Sequence, residues 1–236
     1  MPLPSRRPAD PVQTDAVFRI LTVCTGNLCR SPQAEQLLRT RIPAALGTDI
    51  GSALEVTSAG TMAYDGDPMD ALAAAEAVRL GVEDAQQHRA RRIRAQHVVG
   101  ADLILGMARE HRGSAASLAP TANRRVFTLV EFARITESLA AGDFDVMPPT
   151  LAAGGFPGFM RGVVDLASRL RGVMPTLKDP GRLDVDDPFR RGADVYRRSA
   201  DSVELHVERL AVALRALAEA GAAGTATHRA IPRAEG

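Results

Sequence analysis

The apolar run VFRILTV, residues 17–23, passes without a break into CTGNLCRSP, residues 24–32. The run is short, continuous and rich in β-branched residues, as expected of a strand buried on both faces, the situation in a parallel sheet. After the loop, Ala34, Leu37, Leu38 and Ile42 recur at helical spacing. Ser31 is then expected as N-cap and Pro32 at the first helical position, where its missing N–H costs nothing. Strand, tight polar loop and helix in that order commit this part of the chain to an α/β unit.

The same alternation continues. LEVTSAGT reads as a second strand, MDALAAAEAVRLGV as a helix ending near Gly81, and ADLILGM as a third strand, with a fourth inside RRVFTLVEF. Val195, Ser199, Val203, Val207, Leu210, Leu214 and Leu217 mark a long closing helix from Ala193. Strands alternating with helices imply right-handed crossovers, a parallel sheet and helices on both faces, a three-layer α/β sandwich. Residues 137–183 interrupt the pattern with GDFDVMPPTLAAGGFPGF, a helical MRGVVDLASRLRGV and a further Pro/Gly break, and read as an insertion. Residues 1–15 and 222–236 lack periodicity and are expected as disordered tails around one domain, 16–221; with 236 residues and 45% hydrophobic content, one enlarged core is the default.

A loop that leaves a buried strand and enters a helix N-terminus aims successive backbone N–H groups and the positive end of the helix dipole at one point. Cys24 at its start would have its thiolate stabilised by those donors and by Arg30, which makes it a nucleophile. Arg30 would hold a tetrahedral oxyanion bidentately, so the loop is shaped for a phosphate ester. Gly26 and Asn27 supply the turn between them.

Composition removes other classes. Lys and Arg total 29 against 28 Asp and Glu, so no basic footprint points to nucleic acid. Two cysteines cannot staple a secreted scaffold, and the start MPLPSRRPAD has no apolar run, which leads to an expectation of a reducing cytoplasm. LAVALRALAEAGAAG is broken by Arg215 and Glu219, so no membrane span is expected. The five histidines lack metal-ligand spacing, and DVDD from Asp184 has no strand before it, so neither a metal nor a cofactor is expected. The arginines of RARRIR and of FRR and YRR further on read either as a solvated face, the usual role of a charge run, or as a surface that recruits acidic phosphopeptides.

VCTGNLCRSP resembles the signature loop of the low-molecular-weight protein tyrosine phosphatases, and the similarity continues through SAGT at Ser58, HRAR at His88, ADLILGM at Ala101 and DDPF at Asp186. The resemblance implies a four-stranded parallel sheet flanked by helices and hydrolysis of a phosphotyrosine-containing protein or a small aryl phosphate. It implies Cys24 as nucleophile, Arg30 as phosphate binder and Asp187 as the acid that protonates the leaving phenolate. Thr25, Gly26, Asn27, Leu28, Cys29 and Ser31 would line the phosphate cradle. Ser58 and His88 would join Asn27 and Ser31 in a network that shapes it, and Tyr64 and Phe189 would flank the substrate ring. Two positions depart from the pattern: Ala108 stands where the family often has Asp, and Arg190 follows Phe189 where many members have a second aromatic.

Two other functions share these features, an arsenate reductase using an external thiol and a non-catalytic phosphate-binding protein. Cys29 reads either as a small packed side chain or as a thiol that traps oxidised Cys24. The insertion, leading into the loop of Asp187, reads either as a cover governing substrate access or as a passive addition. Oligomeric state is not legible.

Overall fold

The structure, a computed structural model, describes residues 16–152 and 154–229. Four parallel strands form one sheet: β1 (Phe18–Cys24), β2 (Leu54–Gly60), β3 (Leu103–Gly106) and β4 (Val126–Thr128), in spatial order β2-β1-β3-β4. Register pairs Phe18 with Leu54 and Ile20 with Leu103, so β1 is central and hidden on both faces, as its apolar run requires.

Alternation along β1 divides the core. Phe18, Ile20 and Cys24 face one cluster, shared with α1 (Arg30–Leu46), α2 (Ala71–Arg79), α5 (Leu129–Ala140), α6 (Gly155–Leu170) and α7 (Ala193–Arg229). Leu21 and Val23 face the other, with Val98 of α3 (Ala95–Gly100) and Ala115 of α4 (Arg109–Leu118). The three-layer expectation therefore holds. α7 packs along α1 and α5. It continues to Arg229, so residues 222–229, read as tail, are helical; residues 1–15 and 230–236 lie outside the described residues.

Two further boundaries differ from the sequence reading. α1 begins at Arg30 with Cys29 as N-cap and no side-chain cap, so Ser31 lies in the first turn, its hydroxyl engaged elsewhere. In RRVFTLVEF only Val126–Thr128 is strand, because Thr128 and Glu131 form a reciprocal capping box that starts α5.

The helix of the inserted segment, α6, starts at the strand entrances, and residues 180–183 pack against α5 on the way back to Asp184. Phe156 of α6 meets Phe18 edge-on, with ring centroids 6.2 Å apart. Arg161 donates to Asp102, just before β3, at 3.1 Å, and Asp102 also accepts the backbone N–H of Arg19 at 2.8 Å. Arg171 stacks over Phe127, 3.9 Å from its centroid, and pairs with Glu131 at 3.1 Å. Cys24 sits at the far end of β1, about 20 Å away at 3.3 Å per residue. α6 is thus a brace across the amino ends of the strands, a position that favours the passive addition among the two readings of the insertion.

Candidate active site

The backbone after Cys24 turns at once, and Asn27 takes the left-handed conformation at φ 56°. Gly26 does not need to be glycine for strain, since a Cβ there would meet only the Leu28 side chain at 3.5 Å. The close approach is at Gly60, where a Cβ would come within 2.6 Å of Thr25 O and 2.8 Å of Asn27 N. The end of β2 is the floor on which the loop rests.

Asn27 organises the loop. The backbone N–H of Arg91 can only donate, and it reaches Asn27 Oδ1 at 2.9 Å, which fixes the amide so that Nδ2 donates to Ser31 Oγ and Ser58 Oγ, each at 2.9 Å. Ser31 Oγ therefore accepts from Asn27, and its own hydrogen can go to Cys24 Sγ at 3.0 Å or to Ala59 O at 3.4 Å; the shorter contact, to a sulfur in thiolate form that can only accept, takes it. Asn27 N–H donates to the same sulfur at 3.2 Å. Ser58 passes its hydrogen to Glu35 at 2.5 Å, and His88 Nε2 donates to Asn27 O at 2.8 Å. Burial pulls His88 below its ordinary value, consistent with a neutral ring donating from Nε2.

Arg30 is 3% exposed. Its Nη1 donates to Val185 O at 3.0 Å and its Nη2 to Asp187 Oδ2 at 2.6 Å, while its buried Nε has no partner among the described residues. A guanidinium fork with Nε unbonded and Nη2 shared between a half-exposed carboxylate and, at 3.4 Å, the Thr25 hydroxyl is suited to two oxygens of one tetrahedral anion once the carboxylate is displaced. The segment carrying Asp187 is tied at each residue. Asp184 takes the guanidinium and backbone N–H of Arg109, Val185 N–H donates to Met107 O, and Ser199 Oγ donates to Asp186 O. Burial alone would raise Asp184, but the bonds from Arg109 hold it below the usual carboxylate range. Ala108, the N-cap of α4, has no side chain to cap with; Asp184 receives the Arg109 N–H in its place.

Cys24, Thr25, Gly26, Leu28, Cys29, Arg30, Tyr64, Asp187 and Phe189 line one cleft of about 400 Å³. Its walls also include Arg190, noted from sequence as a departure from the family pattern, and Met62, Ala63 and Asp67, none of which was singled out. Asn27, Ser31, Ser58 and His88 lie behind it. Cys24 and Cys29 are both free and buried; burial, then the charge of Asp70, pushes the Cys29 thiol up, so it is packed as a protonated thiol. Sequence reasoning also passed over Glu35 and His111. Neither belongs to a local spacing, and His111 was weighed only as a metal ligand. The described residues contain no group of three or more His, Cys, Asp or Glu placed to hold a metal, and no helix long and apolar enough to cross a membrane.

Among known proteins, residues 19–182 match the family described as low molecular weight phosphotyrosine protein phosphatase. The low molecular weight protein-tyrosine-phosphatase Etp of Escherichia coli K12 is 41% identical over 101 residues, 43% of this chain and 62% of Etp, so the chain spans less than two thirds of that relative. A protein-arginine-phosphatase of Geobacillus stearothermophilus is 27% identical over 199 residues, 84% of this chain and 97% of its own. The crystal structure of a low molecular weight protein tyrosine phosphatase from T. tengcongensis superposes with a TM-score of 0.55 at 27% identity, covering 82% of this chain and 97% of that one.

Proposed function

The chain belongs to the low molecular weight phosphotyrosine protein phosphatase family, and from that premise we propose that it hydrolyses phosphotyrosine in proteins, and small aryl phosphates, through a cysteinyl-phosphate intermediate. The observation that carries this reading is the pair of donors on Cys24 Sγ, Asn27 N–H at 3.2 Å and Ser31 Oγ at 3.0 Å, in the same cleft as Arg30 and Asp187.

The loop of residues 24–31 acts as the phosphate-binding loop. An entering phosphoryl group takes Arg30 Nε and Nη2, which releases the Asp187 carboxylate from its ion pair to take up a proton from solvent or from the phosphate monoanion. Cys24 thiolate attacks phosphorus as the P–O bond to the phenol breaks, and protonated Asp187 gives its hydrogen to the leaving oxygen. Water then attacks the S–P bond, Asp187 takes a proton back, and inorganic phosphate leaves with Cys24 restored as thiolate. Leu28, Met62, Tyr64 and Phe189 give the aromatic ring an apolar wall. A thiol chemistry of this kind suits a reducing compartment, which supports a cytoplasmic location.

A second reading, phosphoarginine, draws support from the arginine-phosphatase relative, which aligns over 97% of its length, and from Asp67 on the cleft wall, a counter-charge for a guanidinium. Turnover of p-nitrophenyl phosphate, a phosphotyrosine peptide and a phosphoarginine peptide tests both. We expect the tyrosine peptide to be preferred and Cys24→Ser to abolish all turnover while keeping phosphate affinity. Residual turnover by Cys24→Ser would remove the covalent mechanism, and preference for the arginine peptide would select the second reading.

A further inference from the structure

His111 is 1% exposed, on the first turn of α4, and its Nε2 lies 3.0 Å from Thr25 Oγ1. Burial, then the neighbouring Arg30 charge, pulls it down to about 4, so at neutral pH the ring is uncharged with one hydrogen. That hydrogen is on Nε2. The Glu110 carboxylate approaches Nε2 at 3.4 Å, and a lone pair facing it would be repelled. Nδ1, buried without a partner among the described residues, is then a bare acceptor, which is the cheaper orphan.

Thr25 Oγ1 thus receives the N–H of His111 and, at 3.4 Å, Nη2 of Arg30. Two donors fill both lone pairs of a hydroxyl, so its own hydrogen must point in the third direction. Thr25 lines the cleft, and the nitrogen it accepts from is the one that bonds Asp187. We propose that Thr25 is a catalytic residue whose hydroxyl donates a hydrogen bond to a non-bridging oxygen of the phosphoryl group, with His111 as the positioning residue that turns it there. The loop backbone and Arg30 would then share the anion with a side-chain donor whose dipole is strengthened by two N–H groups behind it. This rests on the phosphatase reading above.

The test compares Thr25→Val, Thr25→Ser, His111→Phe, His111→Gln and the Thr25→Val/His111→Phe pair by turnover of p-nitrophenyl phosphate and by orthovanadate affinity. Thr25→Val should lower kcat and weaken vanadate about tenfold, the loss of one bond to a charged oxygen. Thr25→Ser keeps the hydroxyl and should stay within about threefold of wild type. His111→Gln can still present an N–H and should be rescued relative to His111→Phe at equal melting temperature, and the paired variant should be no worse than Thr25→Val alone. Unchanged vanadate affinity in Thr25→Val, or losses that multiply in the pair, would overturn the proposal. A wild type that turns over no phosphate ester would remove the phosphatase reading instead, and the vanadate comparison would still decide the role of Thr25.

Discussion

Asn27 makes five hydrogen bonds from a left-handed backbone: its N–H, carbonyl and both amide ends bind Cys24, His88, Ser31, Ser58 and Arg91. Asn27→Ala would strand the buried hydroxyls and the Arg91 N–H and strain φ, at a cost of about 3 kcal/mol. Asn27→Gly should recover about 1 kcal/mol of that in urea unfolding, since glycine adopts this φ freely, yet leave turnover about 100-fold down in both variants. Equal turnover to wild type in Asn27→Gly would mean that the network does not align Cys24. His111 supplies a second prediction. Thr25, Arg30, Asp184, Asp187 and Glu110 surround it, and it is harder to protonate folded than unfolded, its value falling from 6.5 to about 4. The unfolded chain therefore takes up the proton first as pH falls through about 6.5, and stability drops between there and about 4, by about 3 kcal/mol in all. His88, His97 and His206 are shifted the same way and add to the slope. Urea unfolding of His111→Asn across this range should give a visibly flatter profile; an unchanged slope would exclude His111 as its source. Cys24 and Arg30 were legible because their chemistry is local to one loop. Glu35, Arg91 and His111 were not, because 23, 33 and 86 residues separate Glu35 and Arg91 from Ser58 and His111 from Thr25, and no spacing rule links such pairs.

At the scale of elements, the first turn of α4 and the Asp187 segment are one unit, because Asp184 does for α4 what Ala108 cannot. Arg109→Ala should leave the urea midpoint almost unchanged, as the pair is solvated. It should nonetheless slow phenyl phosphate about tenfold while barely changing p-nitrophenyl phosphate, because loosening the segment misplaces the acid and matters most for a basic leaving group. Equal slowing of both substrates would separate the anchor from proton transfer. The sequence carried the order of strands and helices here but not their edges. In RRVFTLVEF the apolar run conceals the Thr128–Glu131 capping box that ends β4 after three residues. At α1, Ser31 has the composition of an N-cap, but a tertiary demand, the bonds to Cys24 and Asn27, takes its hydroxyl. Local propensity gives way where the backbone must leave its donors free for an anion.

For the whole molecule, the brace and the cleft occupy opposite ends of the sheet. Phe156, 4% exposed on Phe18, should cost about 3 to 5 kcal/mol when cut to alanine. kcat/KM on an aryl phosphate and on a phosphopeptide should both stay within about twofold of wild type at a temperature where the variant is folded. A selective loss on the phosphopeptide would return the insertion to a role in access. That role was attractive from sequence because residues 137–183 run directly into Asp184; chain adjacency says nothing of which end of a sheet a segment returns to. The α6 helix was visible only from Met160; Phe156 and Phe159 were read into the Gly/Pro break before it, and the destination of its apolar face depended on Phe18 and Asp102, far away in the chain. α7 spans the distance, with Ser199 bonded to Asp186 near its start and Gly221 so close to Pro149 that a Cβ would fall 2.3 Å from its carbonyl oxygen. If Phe156→Ala costs stability and not turnover, heat tolerance and the cleft wall have separate addresses in the gene. Exchanges around Phe156 and Phe159 would tune melting temperature, whereas exchanges at Tyr64 or Phe189, both exposed, would reshape the cleft, and Arg190, held at φ 61°, would be less free to change.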